Sequence, residues 1–311
     1  MAIRTKRDRA ILGMIAAVLA GALFAACGTA PVQDAAPPRV FTAADGIFMH
    51  QVGNVEVFML VENEFEGNPG ILLEADEELL ANYIPEGFTM TVNAFLVRTP
   101  EFNIMIDAGT GNNGNILERL QTLGLGPDMI DFVLITHLHG DHFGGLRIGG
   151  LQDAGGAAFP NASVLVAARD LEYFTQTNPN QMAVDILELY MSRLDTFEPA
   201  ALGAEPYLVV PNVAAVANFG HTPGHTVFIV EDAGARLIIG GDFLHVGDVQ
   251  FANPDISATF DVDPIEAAAS RRQILEYAAA NNIPLGGMHI LHPGIGMVET
   301  DGTGFRFVPV Q

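Results

Sequence analysis

The chain has 311 residues, and 49% of them are hydrophobic, which is enough apolar material for a sizeable core in one or two domains. Its formal net charge is −23, so the surface repels polyanions, and nucleic acid is a poor candidate partner. The same charge disfavours anionic substrates, although an acidic surface can also serve solubility alone.

The first 26 residues predict an export signal. A basic stretch at residues 4–9 precedes a nearly unbroken apolar run, Ile11–Ala26, which is shorter than the roughly 20 residues that span a bilayer. The segment Leu23–Cys27 resembles a lipobox, so cleavage would leave Cys27 as a lipidated N-terminus, with residues 27–39 as a proline-containing tether. We therefore expect an exported, periplasmic lipoprotein that meets the membrane only through Cys27. A plain signal peptide or a short membrane anchor is the alternative.

Removal of the signal changes both charge and ligand chemistry. The remaining chain would hold 10 basic and 36 acidic residues, a net charge of −26. Cys27 is the only cysteine, so the folded part has no internal disulfide and no thiolate ligand. Any metal ligands must therefore be histidines and carboxylates.

Residues 40–311 show strands with interleaved helices and no dividing linker, which predicts one domain of sheets packed on each other with helices outside. The predicted strands are Val55–Met59, Met90–Val97, Asn103–Ile106, Asp131–Thr136, Ser163–Ala168, Tyr207–Val210, Ala214–Ala217, Val227–Glu231, Leu237–Ile239, Leu285–Ile290 and Phe305–Val308. The predicted helices are Ile116–Leu123, Asp170–Thr175, Met182–Thr196 and Pro264–Ala280.

The segment 136–142, Thr-His-Leu-His-Gly-Asp-His, directly follows an apolar strand and carries the chemistry. It places His137, His139, Asp141 and His142 within six residues. A regular strand or helix could not direct four such closely spaced side chains toward one point. The segment is therefore expected to form a loop that wraps around a bound group. Neutral imidazoles and a carboxylate in one loop suit Zn²⁺ or another first-row divalent ion. A surface histidine cluster is the alternative, and the buried strand before it argues against that alternative.

Three further candidate ligands follow apolar strands at other places. His225 ends the sequence Thr-Pro-Gly-His, Asp242 ends Gly-Gly-Asp, and His289 ends Gly-Met-His. A single histidine after a strand is more often structural than a ligand. The recurrence of such residues at strand ends favours a metal site.

These motifs, in this order, resemble the metallo-β-lactamase superfamily over nearly all of residues 40–310. The resemblance implies an α+β fold, a four-layer αββα sandwich with a two-metal centre at one edge of its sheets. It implies that His137, His139 and His225 hold one ion, that Asp141, His142 and His289 hold the other, and that Asp242 bridges them. Zn²⁺ is the expected metal, with Mn, Fe and Co as alternatives.

Other segments resemble the branch that contains methyl parathion hydrolase and quorum-quenching lactonases. They are 92–97, 246–254 with 260–263, and 287–294. In that branch the residue before the last Pro-Gly is usually apolar, whereas here it is His292, a second candidate for the last ligand. We prefer His289, which matches the family position. The segment Val61–Leu80 also departs from the branch in being acidic, and we expect it to border the substrate pocket.

Three residues are candidates for supporting or catalytic roles. Asp107, at a strand end, is expected to orient a ligand histidine. His245, three residues after Asp242, could touch the substrate, support the bridge or serve structure alone. Asp141 could accept a proton besides binding metal. Two divalent ions would make a hydroxide nucleophile near neutral pH, and no Ser or Cys nucleophile is needed.

The resulting hypothesis is hydrolysis of a neutral ester, first a lactone such as an acyl-homoserine lactone. The alternatives are phosphotriester hydrolysis, a β-lactamase, a glyoxalase-like thioesterase and a non-catalytic periplasmic metal-binding protein. The expected carboxylate bridge argues against the β-lactamase. The charge and the absence of lysine after Lys6 argue against a thioesterase acting on an anionic substrate. A homodimer is plausible from the resemblance only.

Overall fold

The structure is a computed structural model that describes residues 41–152 and 155–310. The predicted signal, Cys27 and the tether lie outside the described residues. Within the described residues, no helix has the length and apolar character to cross a bilayer.

Two seven-stranded sheets organise the described chain. The first runs in the order β1 to β7, antiparallel from β1 to β4 and parallel from β4 to β7. Its strands are β1 (Ile47–Val52), β2 (Val55–Glu66), β3 (Thr89–Arg98), β4 (Asn103–Ile106), β5 (Phe132–Ile135), β6 (Ser163–Ala167) and β7 (Leu194–Phe197).

The second sheet has the order β14-β13-β12-β11-β10-β9-β8, and only β11 and β12 are parallel in it. Its strands are β8 (Leu208–Val210), β9 (Val213–Ala217), β10 (Thr226–Asp232), β11 (Ala235–Ile239), β12 (Leu285–Gly286), β13 (Ile295–Asp301) and β14 (Gly304–Pro309).

Within the described residues, seven α-helices connect or cover the strands. They are α1 (Glu77–Tyr83), α2 (Asn115–Thr122), α3 (Gly140–Phe143), α4 (Ala168–Glu172), α5 (Gln181–Glu188), α6 (Gly247–Gln250) and α7 (Pro264–Asn281). The longest, α7, begins where the Asp263 side chain accepts the backbone N–H groups of Ile265 and Glu266, and it ends at Asn282 in the left-handed conformation.

Three apolar layers hold these elements in a four-layer αββα arrangement, as predicted. Side chains such as Phe95 and Phe228 fill the space between the two sheets. Leu120 and Ile186 pack α2 and α5 on the outside of the first sheet, and Ile274 belongs to the layer that packs α7 on the second. Central strands are buried on both faces, which explains their nearly continuous apolar runs.

Most predicted elements are present, but β1, β13 and α1 were not predicted, and three boundaries are wrong. The predicted strand Val55–Met59 continues to Glu66. The predicted helix Met182–Thr196 ends at Glu188, and residues 194–197 form β7, which pairs in parallel with β6. Pairing with a buried neighbour therefore outweighed the helical spacing of that segment. The predicted strand Leu285–Ile290 ends at Gly286, so His289 lies in the loop beyond it.

Candidate metal centre

The predicted ligand residues converge because the strands that precede them end at one edge of the sandwich. His137 and His139 follow β5, and the short helix α3 then carries Asp141 and His142. The other contributing loops follow β9, β11 and β12. The structure thus brings side chains from four separate loops to one place.

The first group of side chains is His137, His139, His221 and Asp242, whose four potential ligand atoms all lie within 4.8 Å of one another. His137 Nε2 lies 3.1 Å from His139 Nδ1, and His139 Nδ1 lies 2.9 Å from His221 Nε2. A tetrahedral zinc ion with Zn–N bonds of about 2.0–2.1 Å holds its nitrogens about 3.3 Å apart. The spacing of these ring nitrogens therefore fits such an ion.

The second group is Asp141, His142, Asp242 and His289. Asp242 Oδ1 lies 3.1 Å from His142 Nε2 and 3.2 Å from His289 Nε2. Asp242 belongs to both groups, in keeping with the predicted bridge. His142 Nε2 and Asp242 Oδ1 are buried with no hydrogen-bond partner among the described residues. An unsatisfied buried polar group costs about 1–3 kcal/mol, so the donor set fits a cation.

Hydrogen bonds to Nδ1 fix the ring orientation of three of these histidines. His142 Nδ1 lies 2.7 Å from Asp107 Oδ2, His221 Nδ1 lies 2.8 Å from Asp261 Oδ1, and His289 Nδ1 lies 2.6 Å from the Thr91 carbonyl. Each of these acceptors holds a proton on Nδ1 and leaves the Nε2 lone pair for a metal. Asp107 thus fixes the ring of His142, and its role toward a metal ligand stays a prediction.

The charges of the site also call for a cation. Burial lowers the pKa of His137 and His221 well below its ordinary value, so both rings are neutral donors at neutral pH. Burial alone would raise the pKa of Asp242, but His142, His289 and His137 hold it well below its usual range. Burial alone would lower the pKa of His142, but Asp242, Asp141 and Asp107 raise it well above 6.5. Carboxylates that draw a proton onto His142 would equally attract a metal ion.

His225 was predicted as a ligand, and the structure corrects this. Its Nδ1 lies 2.7 Å from the Asn218 carbonyl, and its Nε2 accepts the backbone N–H of Asp242 at 2.9 Å. Both ring nitrogens are therefore engaged, and burial lowers the pKa of His225 to about 4. His225 is a support beneath Asp242.

His221 takes the place in the first group that was predicted for His225. The two histidines stand four residues apart in the β9–β10 loop, each directly after a glycine. Because β10 begins at Thr226, His225 is held at the sheet, whereas His221 lies farther out in the loop. The repeated Gly-His pair was the signal that could have raised His221 as a second candidate.

Comparisons with known proteins agree with this architecture. A profile of the metallo-beta-lactamase superfamily matches residues 88–152. The hydrolase AbOPH of the beta lactamase superfamily is 26% identical, with a TM-score of 0.74 over 86% of this chain and 98% of that one. The described chain therefore has the metallo-beta-lactamase fold, and residues 88–152 match that superfamily.

Two further relatives extend the comparison. AidC, described as a dizinc quorum-quenching lactonase in complex with a product, is 22% identical, with a TM-score of 0.75 over 86% of this chain and 98% of that one. The uncharacterized protein YobT of Bacillus subtilis (strain 168) is 29% identical over 156 residues, 49% of this chain and 61% of that protein. The match therefore spans less than two thirds of YobT. The fold and the two groups of possible ligands support a metallo-hydrolase.

Two other histidines near this site belong to neither group of possible ligands. His245 Nε2 lies 3.2 Å from Asp242 Oδ2, and its ring stacks on His289 with centroids 5.3 Å apart. Both of its ring nitrogens are buried without a hydrogen-bond partner among the described residues. His292 instead packs edge-on against Phe48, at 5.7 Å between centroids. The structure therefore places His289, and not His292, in the second group.

A cavity of about 480 Å³ opens beside the second group of ligands. His245 and His289 form part of its wall. Most of the remaining wall is apolar, and it includes Tyr83, Phe88, Ile290, Phe251, Phe305 and Phe307. The charged lining residues are Asp248, Asp301 and Arg306, and Arg306 is paired with Glu299. The acidic segment 61–80 itself does not line this cavity, whereas Tyr83 and Phe88, which follow it, do.

Proposed function

We propose that the chain is a dinuclear metal-dependent hydrolase of neutral esters, and that lactones such as acyl-homoserine lactones are its first substrate class. The observation that carries the proposal is that Asp242 belongs to both ligand groups, beside a largely apolar cavity. A carboxylate that belongs to both groups can bridge two adjacent ions, as a two-metal hydrolytic site needs its ions close together. AidC, which is similar in fold, is described as a dizinc lactonase, and this supports zinc as the metal.

Seven side chains would hold the two ions. They are His137, His139 and His221 for the first, Asp141, His142 and His289 for the second, and Asp242 for both. When bound, two such ions supply a nucleophile from water near neutral pH and polarise the ester carbonyl. The chain's own part is to fix these ligands, which the acceptors Asp107, Asp261 and Thr91 do.

His245 is a polar side chain of the cavity wall that belongs to neither ligand group and lies beside Asp242. Its ring nitrogens have no hydrogen-bond partner among the described residues, although Nε2 lies 3.2 Å from Asp242 Oδ2, so the ring can donate an N–H to a molecule in the cavity. We therefore assign His245 to donate a hydrogen bond to the ester oxygen that gains charge as the ring opens. The role of Asp141 as a proton acceptor stays a prediction.

The cavity favours uncharged substrates over anionic ones. Its charged lining holds two carboxylates and a single guanidinium that already has a partner. An anionic glutathione ester would meet no unpaired arginine or lysine in this wall, whereas a neutral acyl chain would contact aromatic side chains. A neutral phosphotriester satisfies the same condition, so phosphotriester hydrolysis is the second candidate.

Export, lipid attachment at Cys27 and a homodimer remain proposals. The first two concern residues 1–40, which lie outside the described part of the chain. Mass spectrometry of the mature N-terminus would decide between a lipidated Cys27 and a plain cleavage, and light scattering would give the oligomeric state.

The substrate proposal is tested with a panel that contains lactones of graded acyl length, methyl paraoxon, nitrocefin and S-lactoylglutathione. We expect metal-loaded protein to open lactones, to lose that activity with a chelator and to regain it with Zn²⁺. Turnover of methyl paraoxon alone would favour the second candidate. Turnover of nitrocefin or the thioester alone would contradict both candidates, and bound metal without any turnover would favour a metal-binding protein.

A further inference from the structure

Arg271 is a fully buried arginine that the proposed chemistry does not use. It lies in α7, its side chain is 1% exposed, and it is among the largest buried side chains of the described residues. A buried guanidinium is costly unless hydrogen bonds and an opposite charge surround it. The groups that surround the guanidinium therefore indicate the role of Arg271.

The guanidinium donates to three backbone carbonyls from two different segments. Nε donates to Phe243 at 2.6 Å, and Nη1 donates to Pro254 and to Ile256, each at 2.7 Å. Phe243 directly follows Asp242, the shared ligand of the two groups. Arg271 thereby connects Phe243, near the start of the connection from β11 to α7, with Pro254 and Ile256, which lie later in that connection.

The same side chain also reaches the support of His221. Arg271 Nη2 lies 3.8 Å from Asp261 Oδ2, and Asp261 Oδ1 lies 2.8 Å from His221 Nδ1. The backbone N–H of Val262 donates to the His221 carbonyl at 3.1 Å, so the segment that carries Asp261 is attached to His221 twice. A continuous set of contacts runs from α7 to one ligand of the first group.

We propose that Arg271 is a positioning residue of the metal centre, which holds His221 through Asp261 and Asp242 through the Phe243 carbonyl at a fixed separation. The inference rests on the proposed two-metal centre and does not depend on the substrate. A planar guanidinium presents several donors in fixed directions and can serve both segments at once. A lysine ammonium at the same place is a point charge on a flexible stem and cannot reproduce that geometry.

The test compares zinc affinity in full-length wild type, Arg271→Lys, Asp261→Asn and Arg272→Lys, measured by competition with a chromogenic chelator. Arg272 is the matched control, because it is adjacent on α7 but forms an exposed ion pair with Asp255 at 2.9 Å. We expect Arg271→Lys and Asp261→Asn each to bind one of the two zinc ions about 10- to 100-fold more weakly. Arg272→Lys should match wild type.

Urea unfolding of the metal-free proteins separates positioning from a purely structural role. Variants that are less stable without metal but keep wild-type affinity for both ions would overturn the inference. If Arg271→Lys fails to fold, Asp261→Asn, which keeps the shape of the side chain, decides alone, and wild-type affinity in it would also overturn the inference. A wild-type chain that binds fewer than two zinc ions would instead contradict the proposed centre, and with it this inference.

Discussion

The backbone N–H of Asp242 donates a hydrogen bond to His225 Nε2 across 2.9 Å. This contact gives the two histidines of the β9–β10 loop different roles. His225 fixes the backbone of the shared carboxylate from beneath, and His221 faces the ligand atoms of the first group. The two histidines should consequently respond differently to substitution.

Replacement of His221 by Ala should remove one ligand of the first group. We expect metal content to fall from two ions per chain to one, with loss of hydrolysis, because the remaining ligands cannot enclose the first ion. Elemental analysis of dialysed protein gives the metal content. Two firmly held ions in His221→Ala would show that His221 is not a ligand.

Replacement of His225 by Ala should act on stability first. The variant leaves the buried N–H of Asp242 without its acceptor, which costs about 1–3 kcal/mol in the free energy of unfolding. Both ions should still bind, since no ligand is lost. Urea unfolding and metal analysis on the same sample check this, and loss of one ion with unchanged stability would restore His225 as a ligand.

Replacement of Asp242 by Ala should affect both ions, since the carboxylate belongs to both groups. We expect metal occupancy and hydrolysis to fall together. Metal analysis beside a rate measurement on the same preparation is the check. Full turnover with two bound ions in this variant would rule out the bridging role.

His245→Phe should separate catalysis from metal binding. The phenyl ring can keep the stacking on His289 but has no N–H to donate. We expect two bound ions and a fall in kcat of about 10²-fold or more, the usual effect of removing a hydrogen bond to a developing negative charge. An unchanged kcat would leave His245 with a structural role only.

Asp170, which belongs to neither ligand group, should make the free energy of unfolding depend on pH. Its carboxylate accepts the backbone N–H groups of Leu138 and Gly224, and burial raises its pKa to about 6 from an ordinary 3.8. Between these values the folded state holds a proton that the unfolded state has lost. The contribution of Asp170 to the free energy of unfolding therefore falls as pH rises from about 4 to about 6, by at most about 3 kcal/mol.

Asp170→Asn removes that titration. The free energy of unfolding of wild type, relative to the variant, should decrease over this pH range and stay constant above it. Urea unfolding of metal-free protein at several pH values measures the difference. A difference that does not change between pH 4 and 7 would show that Asp170 titrates normally.

How far the sequence predicts the site depends on where each residue lies. His137, His139, Asp141 and His142 could be predicted because they crowd six residues directly after a buried strand, where so many imidazoles and carboxylates have little use except to bind a metal. The prediction of a continuous loop was wrong for Asp141 and His142, which lie on the short helix α3. His221 could not be separated from His225, because both follow a glycine in one loop. The choice between them depends on where β10 begins, and single-sequence patterns do not place such boundaries to the residue.

The fold likewise has parts that the sequence predicts and parts that it does not. Strongly apolar strands such as β3 and the capped helix α7 were predicted to within one or two residues. The short strand β7 was missed because its pairing with β6 lies about thirty residues away in sequence and leaves no local pattern. The link from Arg271 to His221 is likewise tertiary, since it needs α7 to be packed beside the loop after β11.

Titration of metal-free protein with Zn²⁺, with lactone hydrolysis followed at each step, tests the central claim most directly. The account predicts that activity rises until two zinc ions are bound per chain and then stays constant. Activity that reaches its plateau at one ion per chain, or lactone opening that proceeds without metal, would contradict a two-metal hydrolase organised around Asp242.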